Sequence, residues 1–407
     1  MKKYSIAILI NFSMVLFVEM IDAQQPQHFT EAYNELLRQR SFYPFPTIMW
    51  DSLRCAWYGQ CVSLNNLTEA SLTACPLNKR MFGWHSIGTS SNNYVWLSIS
   101  DLSYFSYDVN KSTGNANNPT QISSWATDPT IVAAQSNGVN VNLCATLFNN
   151  SNEFATFFGN PTAQTTLINN LITAVIAANA KGVNIDFEGS ELGSTYRNQF
   201  VNFMSALSTQ LHNTVVNSEL SIDLQAGYSE SSTLISQLNP FVDLFIIMGY
   251  DYYWGGQGNP GPVAPLYSFY TSQSVSADLN NFLKLVGPNK IILGMPYYGR
   301  RWGVSNSCNL PGNGSGTSAL SDQTYAQYKQ NSNGYYSNPL RDMYTFNVYN
   351  CFTDLNSIPN QQFIDDVYSF QKKYDVIKQR GIAGAAVWRL GYDNGYNDLW
   401  NLISVCL

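Results

Sequence analysis

The chain has 407 residues, enough for one large domain or two to three ordinary ones, and a formal net charge of −6. Charged residues make up only 12%, about half the ~25% typical of soluble domains, which excludes a nucleic-acid binder that works through a general basic field. Aromatic residues reach 14%. Large rings with polar tips suit a neutral, hydroxyl-rich ligand, although a well-filled core requires them too. The chain has three histidines, too few for an easily built three-histidine metal site, so we expect no metal and no cofactor.

The first residues have the pattern of a secretory signal peptide. Lys2 and Lys3 precede an apolar run over 6–18, and Ala23 provides a small residue for cleavage. An uncleaved anchor needs about 20 apolar residues, and Glu19 interrupts this run too early. We therefore predict a signal peptide over 1–23 and a protein that is secreted or stays in the lumen of the secretory or lysosomal pathway, with no membrane contact after cleavage.

Cysteines and glycosylation signals suit that compartment. Cys144 lies in an apolar run, where we expect a buried free thiol, and the other six cysteines can pair (Cys55, Cys61, Cys75, Cys308, Cys351 and Cys406). We prefer a bridge between Cys308 and Cys351 because it would staple a stretch with little core of its own. Four sequons predict a glycoprotein, at Asn66, Asn110, Asn149 and Asn313.

The order of apolar and helical patterns predicts the fold. Residues 24–78 show no long period and are interpreted as an N-terminal extension with at least one disulfide bond among its three cysteines. In the domain over 79–407, eight apolar runs predict strands: Met81–Ile87, Leu102–Val109, Val139–Leu147, Val183–Phe187, Leu220–Leu224, Leu244–Met248, Ile291–Met295 and Ala383–Leu390. Helical patterns lie between several of them, at Ala163–Ala180, Ser194–His212, Ser274–Leu285 and Gln361–Arg380. Eight strand-then-helix units predict an α/β fold, a (β/α)8 TIM barrel.

One interval breaks this rhythm. Between about 301 and 361 the chain is rich in Gly, Ser, Asn and Tyr and is too long for a plain loop inside a compact domain. We predict a small α+β insertion between strands seven and eight.

The strongest chemical signal lies on the fourth predicted strand. Because strand side chains alternate between faces, Asn184, Asp186 and Glu188 share one face, inside the barrel. Two carboxyl groups in a low-dielectric place raise the pKa of one of them, and an acid that keeps its proton near neutral pH suits general acid catalysis. Glu188 also ends the strand, where barrel active sites lie. A buried hydrogen-bond network without a catalytic role would give the same pattern.

These residues resemble a known family. The run Gly182 to Glu188 is similar to the fourth-strand signature of family-18 glycoside hydrolases, the chitinases and their relatives. Further motifs resemble the family in the right order over about 80–407: Met248-Gly249-Tyr250-Asp251 after strand six, the segment 261–266, Gly294 to Arg300 at strand seven, and Gly381 to Trp388 at strand eight.

The resemblance implies a role for each matching residue. Glu188 would protonate the glycosidic oxygen and then activate water, while the substrate's own acetamido carbonyl attacks the anomeric carbon, so that no second enzyme nucleophile is needed. Asp186 would orient the acetamido N–H, and Tyr250 would donate to its carbonyl. Asp251 would lie beside them, and Trp388 would form an apolar floor. The further candidates for substrate binding are Asn184, Met248, Gln225, Trp84, Tyr298 and Trp254, with local packing as the alternative for the tryptophans.

The chain also departs from the family pattern. Lys181 and Asn184 stand where the signature has its first two aspartates, and the third strand lacks the family's Ser-x-Gly-Gly. Asn184 replaces a carboxylate that usually shares a proton with its neighbour, so the pH optimum is expected to shift.

The main hypothesis is a secreted, monomeric, retaining hydrolase that cleaves β-1,4-linked N-acetylglucosamine in chitin or chito-oligosaccharides. One alternative is a chitin-binding, lectin-like protein without activity, which the presence of Glu188 disfavours. Another keeps the chemistry but changes the substrate to peptidoglycan or the chitobiose core of N-glycans.

Overall fold

The computed structural model describes residues 77–407 except 150–151, 227–231, 257, 269–272, 305–313, 333, 335, 337–338 and 343, and it leaves out the side chains of 314–321. The predicted signal peptide and nearly all of the extension, with Cys55, Cys61, Cys75 and Asn66, lie outside the described residues. Cys308 and Asn313 lie outside them too.

Parallel strands form a closed barrel. Seven of them come first along the chain: β1 (Arg80–Ser86), β2 (Asp101–Asp108), β3 (Asn140–Phe148), β4 (Gly182–Glu188), β5 (Glu219–Gln225), β6 (Leu244–Met248) and β7 (Ile291–Pro296). An antiparallel sheet follows: β8 (Tyr298–Val304), β9 (Gly314–Thr324), β10 (Leu340–Arg341), β11 (Val348–Thr353) and β12 (Pro359–Ile364). Then β13 (Gly384–Trp388) pairs with β1 and β7 and closes the eight-stranded barrel. The predicted (β/α)8 barrel is confirmed, and every predicted barrel strand belongs to it.

Helices cover the barrel: α1 (Pro119–Ser124), α2 (Pro129–Ser136), α3 (Glu153–Phe158), α4 (Pro161–Ala177), α5 (Arg197–Thr214), α6 (Ser232–Leu238), α7 (Val275–Phe282), α8 (Tyr325–Gln330), α9 (Val367–Arg380) and α10 (Asp398–Cys406). The helix predicted over 361–380 is wrong at its start, because 359–364 form β12. Asp366 caps α9 through a reciprocal bond with Ser369, and Gly381 ends it at φ 66°. In the described part of the chain, no helix is long and apolar enough to span a membrane.

The interval between β7 and β13 holds the second sheet, in the order β10-β11-β12-β8-β9. The sheet begins at Tyr298 and ends at Ile364, so it extends beyond both predicted bounds of the interval. Cys144 is a buried free thiol, as predicted. Cys406 is also a buried free thiol, so its predicted pairing is wrong. The bridge between Cys308 and Cys351 stays a prediction.

Charged groups close the amino-terminal end of the barrel. Arg80, Asp101 and Glu219 are the first residues of β1, β2 and β5. The Arg80 guanidinium donates to Glu219 at 2.6 Å and from Nε to Asp101 at 2.9 Å. The interior also contains a buried apolar cluster of Phe82, Trp84, Cys144, Leu244, Ile246, Ile292 and Ala386. Buried polar side chains lie at the same level, since Asn184 pairs in register with Cys144 and Asp223 with Ile246.

Candidate active site

A cleft of about 310 Å³ opens at the carboxyl ends of β4, β5 and β6. Its lining contains six of the predicted site residues, together with Ala226: Glu188, Gln225, Met248, Tyr250, Asp251 and Trp254. These residues come from three different strands, and the parallel barrel brings them together because all its strands end at the same face.

Glu188 has the position and the raised pKa of a general acid. It is the last residue of β4, and its side chain lines the cleft. Gln225 at the end of β5 donates from Nε2 to Glu188 Oε2 at 2.6 Å. Burial raises the pKa of Glu188, the Gln225 hydrogen bond opposes that rise, and the charge of Asp251 adds to it. Glu188 therefore keeps its proton to a higher pH than an ordinary glutamate.

Asp186 lies two residues earlier on the same strand face and is only 4% exposed. Its Oδ1 atom is buried and has no hydrogen-bond partner among the described residues. Burial raises the pKa of Asp186 well above the ordinary value of an aspartate, and the charges of Glu188 and Asp223 add to the rise. A bound ligand with an N–H group would meet an acceptor that no described protein donor satisfies.

Asn184 and Trp84, both predicted to bind substrate, lie below the cleft. They are 0% and 1% exposed, so neither reaches a bound sugar. Trp84 Nε1 donates to Asn184 Oδ1 at 3.0 Å and to Asp223 Oδ2 at 3.2 Å. Asn184 Nδ2 in turn donates to Asp223 Oδ1 at 2.9 Å. They act on the site through this network.

Asp223 is the site residue that the sequence reasoning missed. It lies on β5 between Ser221 and Gln225 and is 2% exposed. The alternation of polar residues at 221, 223 and 225 was the available signal, but only Gln225 was assigned from it. Strand alternation directs all three side chains to the same face.

Asp186, Asp223 and Cys144 have possible ligand atoms within 4.8 Å of one another. Burial raises the pKa of the Cys144 thiol well above its usual value. Since the thiolate is the form that binds metal ions, this protonated group is a poor ligand. We do not assign the three residues as a metal site.

A second group of contacts fixes the loop after β6. Asp251 Oδ1 accepts from the Tyr298 hydroxyl at 2.6 Å and from Arg300 at 2.8 Å. Arg300 thus forms an ion pair with Asp251, and Asp322 is its second partner. Tyr298 is buried, and the hydrogen bond from its hydroxyl holds Asp251 in place. Burial raises the pKa of Tyr250 well above the ordinary phenol value, which keeps its hydroxyl a hydrogen-bond donor.

Two tryptophans occupy different parts of this end of the barrel. Trp388 ends β13, and its ring packs edge-on against Phe105 at 4.7 Å and Trp84 at 5.7 Å between centroids. Trp254 lines the cleft and is 45% exposed, which suits a ring that stacks on a ligand at the rim.

A parallel barrel with a glutamate of raised pKa at the end of its fourth strand, beside a buried aspartate, is the arrangement of a glycoside hydrolase. The family model described as "Glycosyl hydrolases family 18" matches residues 81–393. The chain belongs to this family, and the predicted family and enzyme class are confirmed.

Curated relatives match the chain at low sequence identity. The "Cortical fragment-lytic enzyme" of Bacillus anthracis is 25% identical over 335 residues, which cover 74% of this chain and 66% of that protein. The chain therefore spans just under two thirds of the length of this relative.

Solved structures share the barrel. A GH18 chitinase from Cycas revoluta in complex with (GlcNAc)3 superposes with a TM-score of 0.67 at 16% identity, over 80% of this chain and 99% of that chain. The chitinase-like agglutinin RobpsCRA from Robinia pseudoacacia has the same TM-score of 0.67 at 18% identity, over 80% and 98%. At such identities the likeness concerns the fold alone, and a chitinase and an agglutinin share it. The site residues must therefore carry the argument about function.

Proposed function

We propose that the protein is a secreted, retaining glycoside hydrolase that cleaves β-1,4-linked N-acetylglucosamine, in chito-oligosaccharides or chitin, by substrate-assisted catalysis. The observation that carries the proposal is Glu188, an acid with a raised pKa that lines the cleft beside Tyr250. Asp186, two residues earlier, has a buried oxygen that no described donor satisfies. A GlcNAc unit brings the groups that these residues need: a glycosidic oxygen for the acid and an acetamido N–H for the aspartate.

The first step breaks the glycosidic bond. Glu188 donates its proton to the glycosidic oxygen while the acetamido carbonyl oxygen attacks the anomeric carbon from the opposite face. Asp186 accepts the acetamido N–H, and its negative charge stabilises the positive charge that develops on the oxazolinium ring. Tyr250 donates a hydrogen bond to the acetamido carbonyl oxygen before it attacks.

The second step restores the enzyme. The Glu188 carboxylate takes a proton from a water molecule, and the resulting oxygen attacks the anomeric carbon and opens the oxazolinium ring. Two inversions at one carbon give overall retention. Gln225 holds Glu188 through both steps, because its amide donates to the carboxyl group at 2.6 Å.

A second substrate class has an observation in its favour. The Bacillus anthracis relative, a cortical fragment-lytic enzyme, aligns with 74% of this chain, which favours peptidoglycan as the alternative. Peptidoglycan also contains N-acetylated amino sugars, so the same steps apply. The chitobiose core of N-glycans is a third substrate with the same acetamido group.

The decisive experiment compares wild type with Glu188→Gln on fluorogenic GlcNAc oligomers. We expect kcat to fall by about 10²- to 10⁴-fold, while oligomer binding, measured by calorimetry, is retained. Glu153→Gln is the matched control, because Glu153, on α3, pairs with Lys111 and does not line the cleft, and we expect it to leave kcat unchanged. Binding by wild type without any turnover would contradict the proposal and support the lectin-like alternative.

Substrate choice and mechanism need two further measurements. Chitohexaose, purified peptidoglycan and a chitobiose-linked glycan, assayed side by side, would rank the substrates by kcat/KM. Oligomers in which a free amine replaces the 2-acetamido group should not be cleaved, and their cleavage would contradict substrate assistance.

A further inference from the structure

The mechanism leaves one buried carboxyl group of the site unused. Asp223 lies in the middle of β5, and its two oxygens accept from Asn184 and Trp84. At 2% exposure it does not reach a substrate. Among the described residues no basic side chain contacts it, so a negative charge there has no ionic partner.

Four titratable groups face Asp223 inside the barrel. Asp186 and Cys144, from β4 and β3, have polar atoms within 4.8 Å of it. Glu188 acts on Asp223 through its charge, and Asp223 in turn raises the pKa of Tyr250. The network thus joins Asp223 to the acid and to the acetamido-binding residues.

The electrostatics oppose full ionisation of this group. Burial raises the pKa of Asp223 to about 8, although the hydrogen bonds from Asn184 and Trp84 lower it, and the charge of Glu188 adds to the rise. Asp223 likewise raises the pKa of Asp186. Two carboxyl groups this close in a dry interior lose their protons in two separated steps that belong to the pair. Near neutral pH the pair therefore does not carry two negative charges.

We propose that Asp223 is a positioning residue of the active site, which supplies from β5 the second buried carboxyl group that position 184 of β4 lacks. It keeps the pair of Asp186 and Asp223 at a single negative charge while Glu188 acts as the acid. This inference rests on the proposed hydrolase function. The 2.9 Å contact between Asn184 Nδ2 and Asp223 Oδ1 supports it, because an amide and a carboxyl group in direct contact can exchange places with little change in shape.

Removing Asp223 has a defined electrostatic consequence. The charge of Asp223 raises the pKa of Asp186, so the loss of Asp223 lowers that pKa. Asp186 must be ionised and Glu188 protonated for turnover. The acid limb of the pH profile of kcat, which follows the ionisation of Asp186, should therefore move to lower pH.

The test measures kcat and KM against pH for wild type, Asp223→Asn and the exchange variant Asn184→Asp/Asp223→Asn. For Asp223→Asn we expect kcat to fall about tenfold or more at the wild-type optimum and the acid limb to move down by about one pH unit, with KM nearly unchanged. The exchange variant restores the number of carboxyl groups, so its profile should return toward that of wild type. Ser221→Ala is the matched control, since Ser221 is a buried, uncharged residue on the same face of β5, and it should cause no shift.

Each other outcome has a clear reading. A wild-type enzyme without turnover overturns the proposed function, whereas an active wild type with an unshifted Asp223→Asn profile overturns only the inference. A fall in kcat without a shift, and without recovery in the exchange variant, would mean that Asp223 merely supports the fold, which also overturns it. If Asp223→Asn does not fold, the exchange variant decides alone, because it keeps the amide–carboxyl pair: a profile like that of wild type supports the inference, and an inactive folded protein overturns it.

Discussion

Both ends of the barrel bury carboxyl groups, but they differ in whether a basic side chain pairs with those groups. At the amino-terminal end, Arg80 binds Asp101 and Glu219 together. At the carboxyl-terminal end, Asp186 and Asp223 contact no basic side chain among the described residues. The strand β5 contributes one carboxyl group to each end, Glu219 below and Asp223 above.

The fold therefore has its stabilising charges at one end of the barrel and its chemically active carboxyl groups at the other. Breaking a buried ion pair is costly because it leaves an uncompensated charge, so the lower cluster of Arg80, Asp101 and Glu219 stabilises the fold. The upper cluster of Asp186 and Asp223 has no basic partner among the described residues, and the pKa values of both carboxyl groups are raised. A raised pKa is what a general acid requires near neutral pH.

The largest effect is expected when the cation of the lower end is removed. Arg80→Met leaves two buried carboxyl groups unpaired and should lower the free energy of unfolding by about 3 kcal/mol, measured by urea denaturation. Lys111→Met, which breaks the surface pair with Glu153, should cost at most about 1 kcal/mol. Equal losses in the two variants would remove the stabilising role assigned to the lower cluster.

A reciprocal pair of substitutions sharpens the contrast. Asp186→Asn should lower kcat by about 10²-fold, without loss of stability, because a neutral amide replaces a buried carboxyl group that lacks a cation. Asp101→Asn should instead lower the stability and leave kcat unchanged, because the Asp101 carboxylate is paired with the Arg80 guanidinium. Measurements of kcat and of the melting temperature on both proteins would decide, and a destabilised Asp186→Asn with normal kcat would reverse the assignment.

The upper cluster should also give the fold a pH-dependent stability. Its carboxyl groups have raised pKa values in the folded state, so the folded protein binds protons that the unfolded chain has released. Stability is then full below about pH 4, the ordinary carboxyl range, and decreases as pH rises toward the Asp223 pKa of about 8. Asp223→Asn should flatten this decrease, by up to about 1.4 kcal/mol per pH unit for one proton, in urea unfolding at pH 5, 6 and 7. Parallel curves for the two proteins would contradict the raised pKa.

The smallest predicted effect concerns Gln225. Its hydrogen bond lowers the pKa of Glu188, so Gln225→Leu should raise that pKa and move the alkaline limb of kcat to higher pH, by less than about one unit. This direction is opposite to that expected for Asp223→Asn. A shift to lower pH would show that Gln225 does not act through this bond.

Local patterns were sufficient for the barrel and for its acid. The eight apolar runs predict the strands because both faces of a parallel strand are covered, and this leaves a continuous signal in the sequence. Alternation places Asn184, Asp186 and Glu188 on one face, and the end of the run places Glu188 at the mouth. The helix proposed from Gln361 failed at its start because β12 forms through pairing with β8 and β11, and no local pattern reveals such pairing.

The barrel, the family and the strand that carries the acid can be predicted from the sequence, since each depends on neighbours along the chain. The three-dimensional structure is needed to tell which of these side chains line the cleft and which lie buried beneath it. Trp84, Asn184 and Asp223 meet across separations of 39 and 139 residues. Their burial and their hydrogen bonds result from the closure of the barrel, which brings β1, β4 and β5 to one dry interior, and no spacing in the sequence encodes that distance.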